Sequence, residues 1–107
     1  MYGGYNETSQ FEEYLAGHRR RAKAEEKLLA ARKRTAWEKA RRLAKELPLL
    51  LPLRRIYLFG SLTNGDFSSC SDIDIALEGL DEKDHLRALT AAENIAHPFK
   101  IDVILLE

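Results

Sequence analysis

Residues 55–79 read Arg55-Ile56-Tyr57-Leu58-Phe59-Gly60-Ser61-Leu62-Thr63-Asn64-Gly65-Asp66-Phe67-Ser68-Ser69-Cys70-Ser71-Asp72-Ile73-Asp74-Ile75-Ala76-Leu77-Glu78-Gly79. The first five residues are β formers, and Gly60 stops them. Ser71 to Leu77 alternates, with Asp72 and Asp74 on one side and Ile73 and Ile75 on the other. A period of two predicts a strand with one polar and one apolar face. Gly79 ends it. Between the two strands, Gly60 to Gly65 reads as a tight bend with polar, helix-initiating residues.

Downstream, Asp81 to Ala96 reads as a helix with Leu86, Leu89, Ala92 and Ile95 on one stripe, followed by Pro98. Lys100 to Leu106 is a third strand. It places Lys100, Asp102 and Ile104 on one face and Ile101, Val103 and Leu105 on the other. Upstream, Ser9-Gln10-Phe11-Glu12 has the form of a capping box, which predicts a helix start near Ser9. From there to Leu47 the chain is rich in good helix formers, with Gly17 the one candidate break. Trp37, Ala40, Leu43, Ala44 and Leu47 recur at helical spacing. Pro48 is expected to end this helix. The expected fold is α/β (α+β): a small mixed sheet with helices on one face and a long N-terminal helix. Residues 1–47 form a basic helical extension packing on a core of residues 48–107.

The aspartates would point to the uncovered face. Two residues apart on a strand, Asp72 and Asp74 have Cα atoms roughly 7 Å apart and leave the same side. Side by side and ionised, they repel. A hard divalent cation such as Mg²⁺ resolves the conflict, because it takes carboxylate oxygens and keeps sites for water and phosphate. Asp102 is an isolated acid in an apolar strand and also calls for a partner. If the third strand lies beside the second, three carboxylates converge, enough to hold two ions about 3.5–4 Å apart. The plainer alternative is a turn acid, a surface strand acid and a salt-bridged Asp102. The bend tips the balance. Gly60 lets a phosphate approach the backbone, Ser61 offers a hydroxyl and an N–H, and Gly65 permits a positive-φ turn.

Composition narrows the classes further. With 107 residues the chain is one domain, able to bury roughly 65% of its unfolded surface. At 45% hydrophobic and 32% charged it is too apolar for a disordered chain. No apolar run approaches the ~20 residues that span a bilayer, and the N-terminus lacks a signal-peptide pattern. The single Cys70 excludes an internal disulfide, and His18, His85 and His97 are too scattered for a zinc site. A soluble cytoplasmic protein with no membrane contact is expected. Net charge is zero, but residues 1–47 hold 12 Lys/Arg against 7 Asp/Glu, and residues 48–107 hold 5 against 10. The basic run His18-Arg19-Arg20-Arg21-Ala22-Lys23 reads first as a solvated helix face and second as a partner surface. Nucleic acid ranks last, because aromatic residues interleave sparsely.

Gly60-Ser61-x-x-x-Gly65, Ser71-Asp72-x-Asp74 and a later strand Asp102 together resemble the nucleotidyltransferase fold of the DNA polymerase beta superfamily. More narrowly they resemble the minimal nucleotidyltransferase (MNT) proteins of prokaryotes, over about residues 36–107. The resemblance implies that Gly60 and Ser61 hold a nucleoside triphosphate, ATP or another, with Gly65 and Ser71 shaping the nucleotide site. It implies that Asp72 and Asp74 bind two Mg²⁺ ions and that Asp102 binds one of them and acts as base. The reaction would move a nucleoside monophosphate to a hydroxyl and release pyrophosphate. MNT proteins commonly pair with a helical HEPN-type ribonuclease toxin as its antitoxin, and some adenylylate a toxin tyrosine. After the third strand no acceptor-binding domain is expected. The acceptor is then expected to be a protein or another chain, or a second subunit (a homo-oligomer) completes the site. The alternative is an antitoxin that neutralises its partner by binding alone.

Other residues read more plainly. Tyr57 and Phe59 are expected in the core or strand, Phe67 is a candidate to flank the site, and Cys70 is expected to be a small buried filler. Thr63 and Asn64 read as turn residues, His85 and His97 as helix surface, and Lys100 as a partner for Asp102 or a phosphate.

Overall fold

The computed structural model describes residues 3–107, with side chains from Gln10 onward. In chain order it contains α1 (Gly3–Leu50), β1 (Arg55–Phe59), the short α2 (Ser61–Asn64), β2 (Ile73–Glu78), a 3₁₀ turn (Glu82–Asp84), α3 (His85–Ala96) and β3 (Ile101–Leu106). The chain divides into two compact units, with the boundary between Ala31 and Arg32. The unit ending at Ala31 is helical. Tyr14 stacks on His18 there, with ring centroids 6.2 Å apart, and Phe11, Tyr14 and Leu28 are exposed.

The helix starts at Gly3 rather than near Ser9, and it runs through both Gly17 and Pro48. Pro48 forfeits one backbone hydrogen bond. The last turn survives because Leu47 and Leu51 are both buried, and the Leu51 N–H donates to the Leu47 carbonyl at 2.9 Å. Pro52 then biases Leu51 away from helical geometry, and the helix ends.

In the second unit, Arg32–Glu107, three strands form one sheet in the order β1-β2-β3. β1 runs antiparallel to β2, and β2 parallel to β3. A parallel pair needs a crossover, and α3 supplies it. Alternation sends Ile73, Ile75, Leu77 and Ile101 into the core, with Ile56, Leu58, Val103 and Leu105 half-buried beside them. The opposite face carries Tyr57, Phe59, Asp74, Asp102, Ile104 and Leu106. Tyr57 and Phe59 are therefore strand residues of the open face and not core.

Ala36, Ala40, Leu43 and Leu47 are the core positions of α1. Ala44 is exposed and Trp37 only half-buried, so the stripe is rotated by part of a turn from the sequence expectation. On α3 the buried residues are Ala88, Ala92, Ile95 and Ala96, whereas Leu86 is 74% exposed. Small alanines let α3 lie close on the sheet, so large leucines are not needed on its inner face. Phe67 is a core residue at 5% exposure and does not flank the site. Cys70 is exposed and not a buried filler, because it sits on a surface turn. Among the described residues no helix is long and apolar enough to cross a membrane.

Leu43 is fully buried between the helix and the sheet. Leu43→Ala should cost roughly 2–5 kcal/mol, a large share of the ~5–15 kcal/mol that holds a small domain together. Ala44→Ser, on the exposed side of the same helix, should change stability by less than about 0.5 kcal/mol. Urea denaturation followed by circular dichroism measures both.

Candidate active site

Sheet register assembles the acids. Asp74 pairs with Phe59 across the antiparallel ladder and with Asp102 across the parallel one. Side chains at paired positions leave the same face, so Phe59, Asp74 and Asp102 form one row on the open side. Asp72 stands one residue outside β2, in the segment that enters the strand. Asp102 is exposed, while Asp72 and Asp74 are half-buried.

The three carboxylates interact. The pKa of Asp74 is raised above the ordinary aspartate value. Burial is the largest cause, followed by the charge of Asp102, a hydrogen bond shared with Asp102, and the charge of Asp72. Asp102 is thus the stronger of the two acidic neighbours of Asp74, and Asp72 the weaker. No ion pair to Asp72, Asp74 or Asp102 occurs among the described residues; the four ion pairs found join Arg42–Glu46, Arg55–Glu78, Lys83–Asp81 and Arg87–Asp84. The described residues also contain no group of three or more His, Cys, Asp or Glu drawn together as a finished metal cage. What the sheet holds is a carboxyl pair with a third acid nearby. Oxygen-only donors with unneutralised negative charge suit a hard divalent cation.

The bend abuts this pair. Gly60 has φ 82° and ψ −154°, a region open to glycine alone. A Cβ built there would collide with the Asp74 carboxylate. The absent side chain is therefore required twice, by the backbone and by the acid. The Gly60 carbonyl accepts from the N–H groups of Thr63 (3.2 Å) and Asn64 (3.1 Å), and from the Thr63 hydroxyl (2.9 Å). Gly65, in the left-handed region, closes the short α2. Asn64 Oδ1 accepts from the Asp66 N–H at 3.0 Å, so Thr63 and Asn64 are turn residues. Ser61 opens α2 and is half-buried.

Ser71 commits its hydroxyl to a turn. Ser71 Oγ accepts from the Ser68 N–H at 2.8 Å and lies 3.1 Å from Ser68 Oγ. The Ser71 N–H donates to the Ser68 carbonyl at 3.2 Å. Arg32 reaches this turn from α1. Its Nη2 donates to the Ser71 carbonyl at 3.2 Å, and its guanidinium lies 4.5 Å from the Phe99 ring centre and 5.6 Å from that of Phe67. Arg32 Nε is buried with no hydrogen-bond partner. An orphaned donor of this kind costs about 1–3 kcal/mol.

A cavity of about 410 Å³ adjoins the acids, lined by Asp72, Glu93, His97, Phe99, Lys100, Ile101 and Asp102. Glu93 and His97 were not read as site residues from the sequence. Their i,i+4 spacing just before Pro98 was the available signal. A larger hollow, about 740 Å³, lies at the other end of β3 among Gly79–Glu82, His85 and Val103–Glu107, and touches none of the three aspartates.

Two outcomes follow from this geometry. Gly60→Ala should destabilise by about 1–3 kcal/mol through backbone strain, plus the collision with Asp74. Gly60→Ala/Asp74→Ala should recover only the collision part, as a double-mutant cycle on urea midpoints would read. A raised carboxyl pKa means that the folded state binds the proton more tightly than the unfolded one. Stability from Asp74 is then full below the ordinary aspartate value and is lost as pH rises through the elevated one. Asp74→Asn should remove this downward slope and raise Tm at neutral pH by up to a few degrees in metal-free buffer, measured by thermal melts across pH 3–7.

Comparison with known protein families bears on the same stretch of chain. Neither curated proteins nor solved structures give a significant match. The family described as "Polymerase beta, Nucleotidyltransferase" matches residues 38–107. That span includes the bend, the turn, both strand acids and every strand of the sheet. The chain belongs to the polymerase beta nucleotidyltransferase family.

Proposed function

We propose that this nucleotidyltransferase-family chain is a magnesium-dependent enzyme that moves a nucleoside monophosphate from ATP, or another nucleoside triphosphate, to a hydroxyl on a partner protein. Its setting is the cytoplasm, as the antitoxin of a HEPN-type ribonuclease toxin. One observation carries the chemistry: Asp74 and Asp102 meet in register on an open sheet face, un-neutralised, with the Gly60 bend against Asp74. A protein needing only a fold would not keep such a pair.

Asp72, Asp74 and Asp102 would hold the cations. When bound, they supply charge neutralisation at the α-phosphate and at the leaving pyrophosphate. Gly60 and Ser61 receive the triphosphate, within the frame set by Gly65 and Ser71. The acceptor oxygen bonds to the α-phosphorus, the bond from that phosphorus to the bridging oxygen breaks, and pyrophosphate departs. Asp102 takes the hydroxyl proton.

A second reading also has an observation behind it. Tyr57, Phe59, Ile104 and Leu106 leave 37–47% of their surface exposed on the same face as the acids. An apolar face of this kind suits a partner held by binding alone, without catalysis.

Incubation with α-labelled ATP, Mg²⁺ and the co-encoded partner tests the proposal. Label should pass to the partner, and Asp72→Asn or Asp74→Asn should lower transfer at least about 100-fold. Retained neutralisation of the toxin in cells by Asp72→Asn/Asp74→Asn would favour the binding reading. Magnesium with nucleotide should raise Tm of the native protein by a few degrees, and Asp72→Asn should abolish the rise.

A further inference from the structure

Asp74 and Asp102 need no special device to hold them, because the ladder between β2 and β3 fixes both. Asp72 lies outside that ladder. Its C-terminal side is anchored by the Ile73 N–H, which donates to the Lys100 carbonyl at 3.0 Å. Its N-terminal side is the Ser71–Asp72 peptide, and Arg32 donates to the oxygen of that peptide. A peptide is planar, so holding its oxygen sets the plane in which the Asp72 nitrogen and Cα lie. The Arg32 guanidinium is in turn packed against the rings of Phe99 and Phe67.

The structure assigns Arg32 a role as the positioning residue of the site: through the Ser71 carbonyl it sets where the Asp72 carboxylate stands. The assignment rests on the nucleotidyl-transfer reading of the three acids. Arg32 touches neither Asp72 nor the reacting atoms, and nothing in the sequence pattern of residues 55–79 points to it.

The stability argument separates this role from a structural one. Arg32 lies over two phenylalanine rings and leaves its Nε without a partner. Methionine would cover the same rings with no orphaned donor. An arginine kept only for packing is therefore replaceable at little cost. An arginine kept for the Ser71 carbonyl is not.

Three proteins test it: wild type, Arg32→Met and Arg32→Lys. Cys70, the single cysteine, is exposed and lies one residue before Ser71, so its reaction rate with a thiol reagent reports the order of the turn. Mg²⁺ titration by calorimetry reports the acids. All three proteins should melt within about 3 °C of each other. Arg32→Met should bind Mg²⁺ at least 5-fold more weakly and expose Cys70 to several-fold faster modification. Arg32→Lys, which keeps a donor but not the planar guanidinium, should fall between. Unchanged Mg²⁺ affinity and thiol rate in Arg32→Met overturn the assignment and leave the nucleotidyl-transfer reading standing. If Arg32→Met does not fold, affinity and thiol rate in Arg32→Lys equal to wild type overturn it. Absence of Mg²⁺ binding by the wild-type protein sinks the reading, and the assignment with it.

Discussion

Like charges forced together by backbone register are the constraint around which this molecule is arranged. In a parallel pair, opposing residues share a face, so the register in which β2 and β3 align brings Asp74 against Asp102. Shifting either strand by one residue would turn its acid inward and its isoleucines outward. The hydrophobic core therefore enforces an electrostatic conflict on the other side of the sheet. Ile73, Ile75 and Leu77 hold β2 in place, and Asp74 stays where solvent alone would not put it.

Gly60 belongs to the same constraint. A backbone in a glycine-only conformation passes against the Asp74 carboxylate, which contributes to the burial that raises its pKa. The bend and the acid were read from the sequence as two motifs with separate jobs. In the folded chain they are one contact. This is why the conjunction of motifs is more informative than either alone.

Much of the fold was legible because it rests on local period. The alternation in Ser71–Leu77 and Lys100–Leu106 placed Asp74 and Asp102 on one face before any contact was known. The bend followed from glycine and serine chemistry. What was not legible depended on packing. Helical spacing alone could not tell that alanines, not Leu86, face the sheet from α3, or that Ala36 replaces Ala44 inside. Pro48 was expected to stop the helix, but two buried leucines outweigh one lost hydrogen bond. Phe67 and Cys70 were misplaced for a related reason: a loop has no period from which to read which side chains turn inward. Arg32 was hidden because its contact spans 39 positions, and no local signal carries such a distance.

The charge asymmetry of the two halves of the sequence takes a different form in space. Residues 1–31 hold five Lys/Arg and five Asp/Glu, and residues 32–107 hold twelve of each, so neither unit has net charge. The imbalance lies inside the second unit. Arg34, Arg41, Arg42 and Lys45 point to solvent from the helix that supplies one wall of the core, and the aspartates point away from that core across the sheet. A body without net charge has no monopole, and charges of opposite sign on opposite sides of its core leave it a dipole. Its far field does not pull ions in; it turns the molecule. A charged body approaching through solution is therefore met by reorientation rather than by net attraction, with the helix side turned toward negative charge and the acid-bearing sheet face toward positive charge.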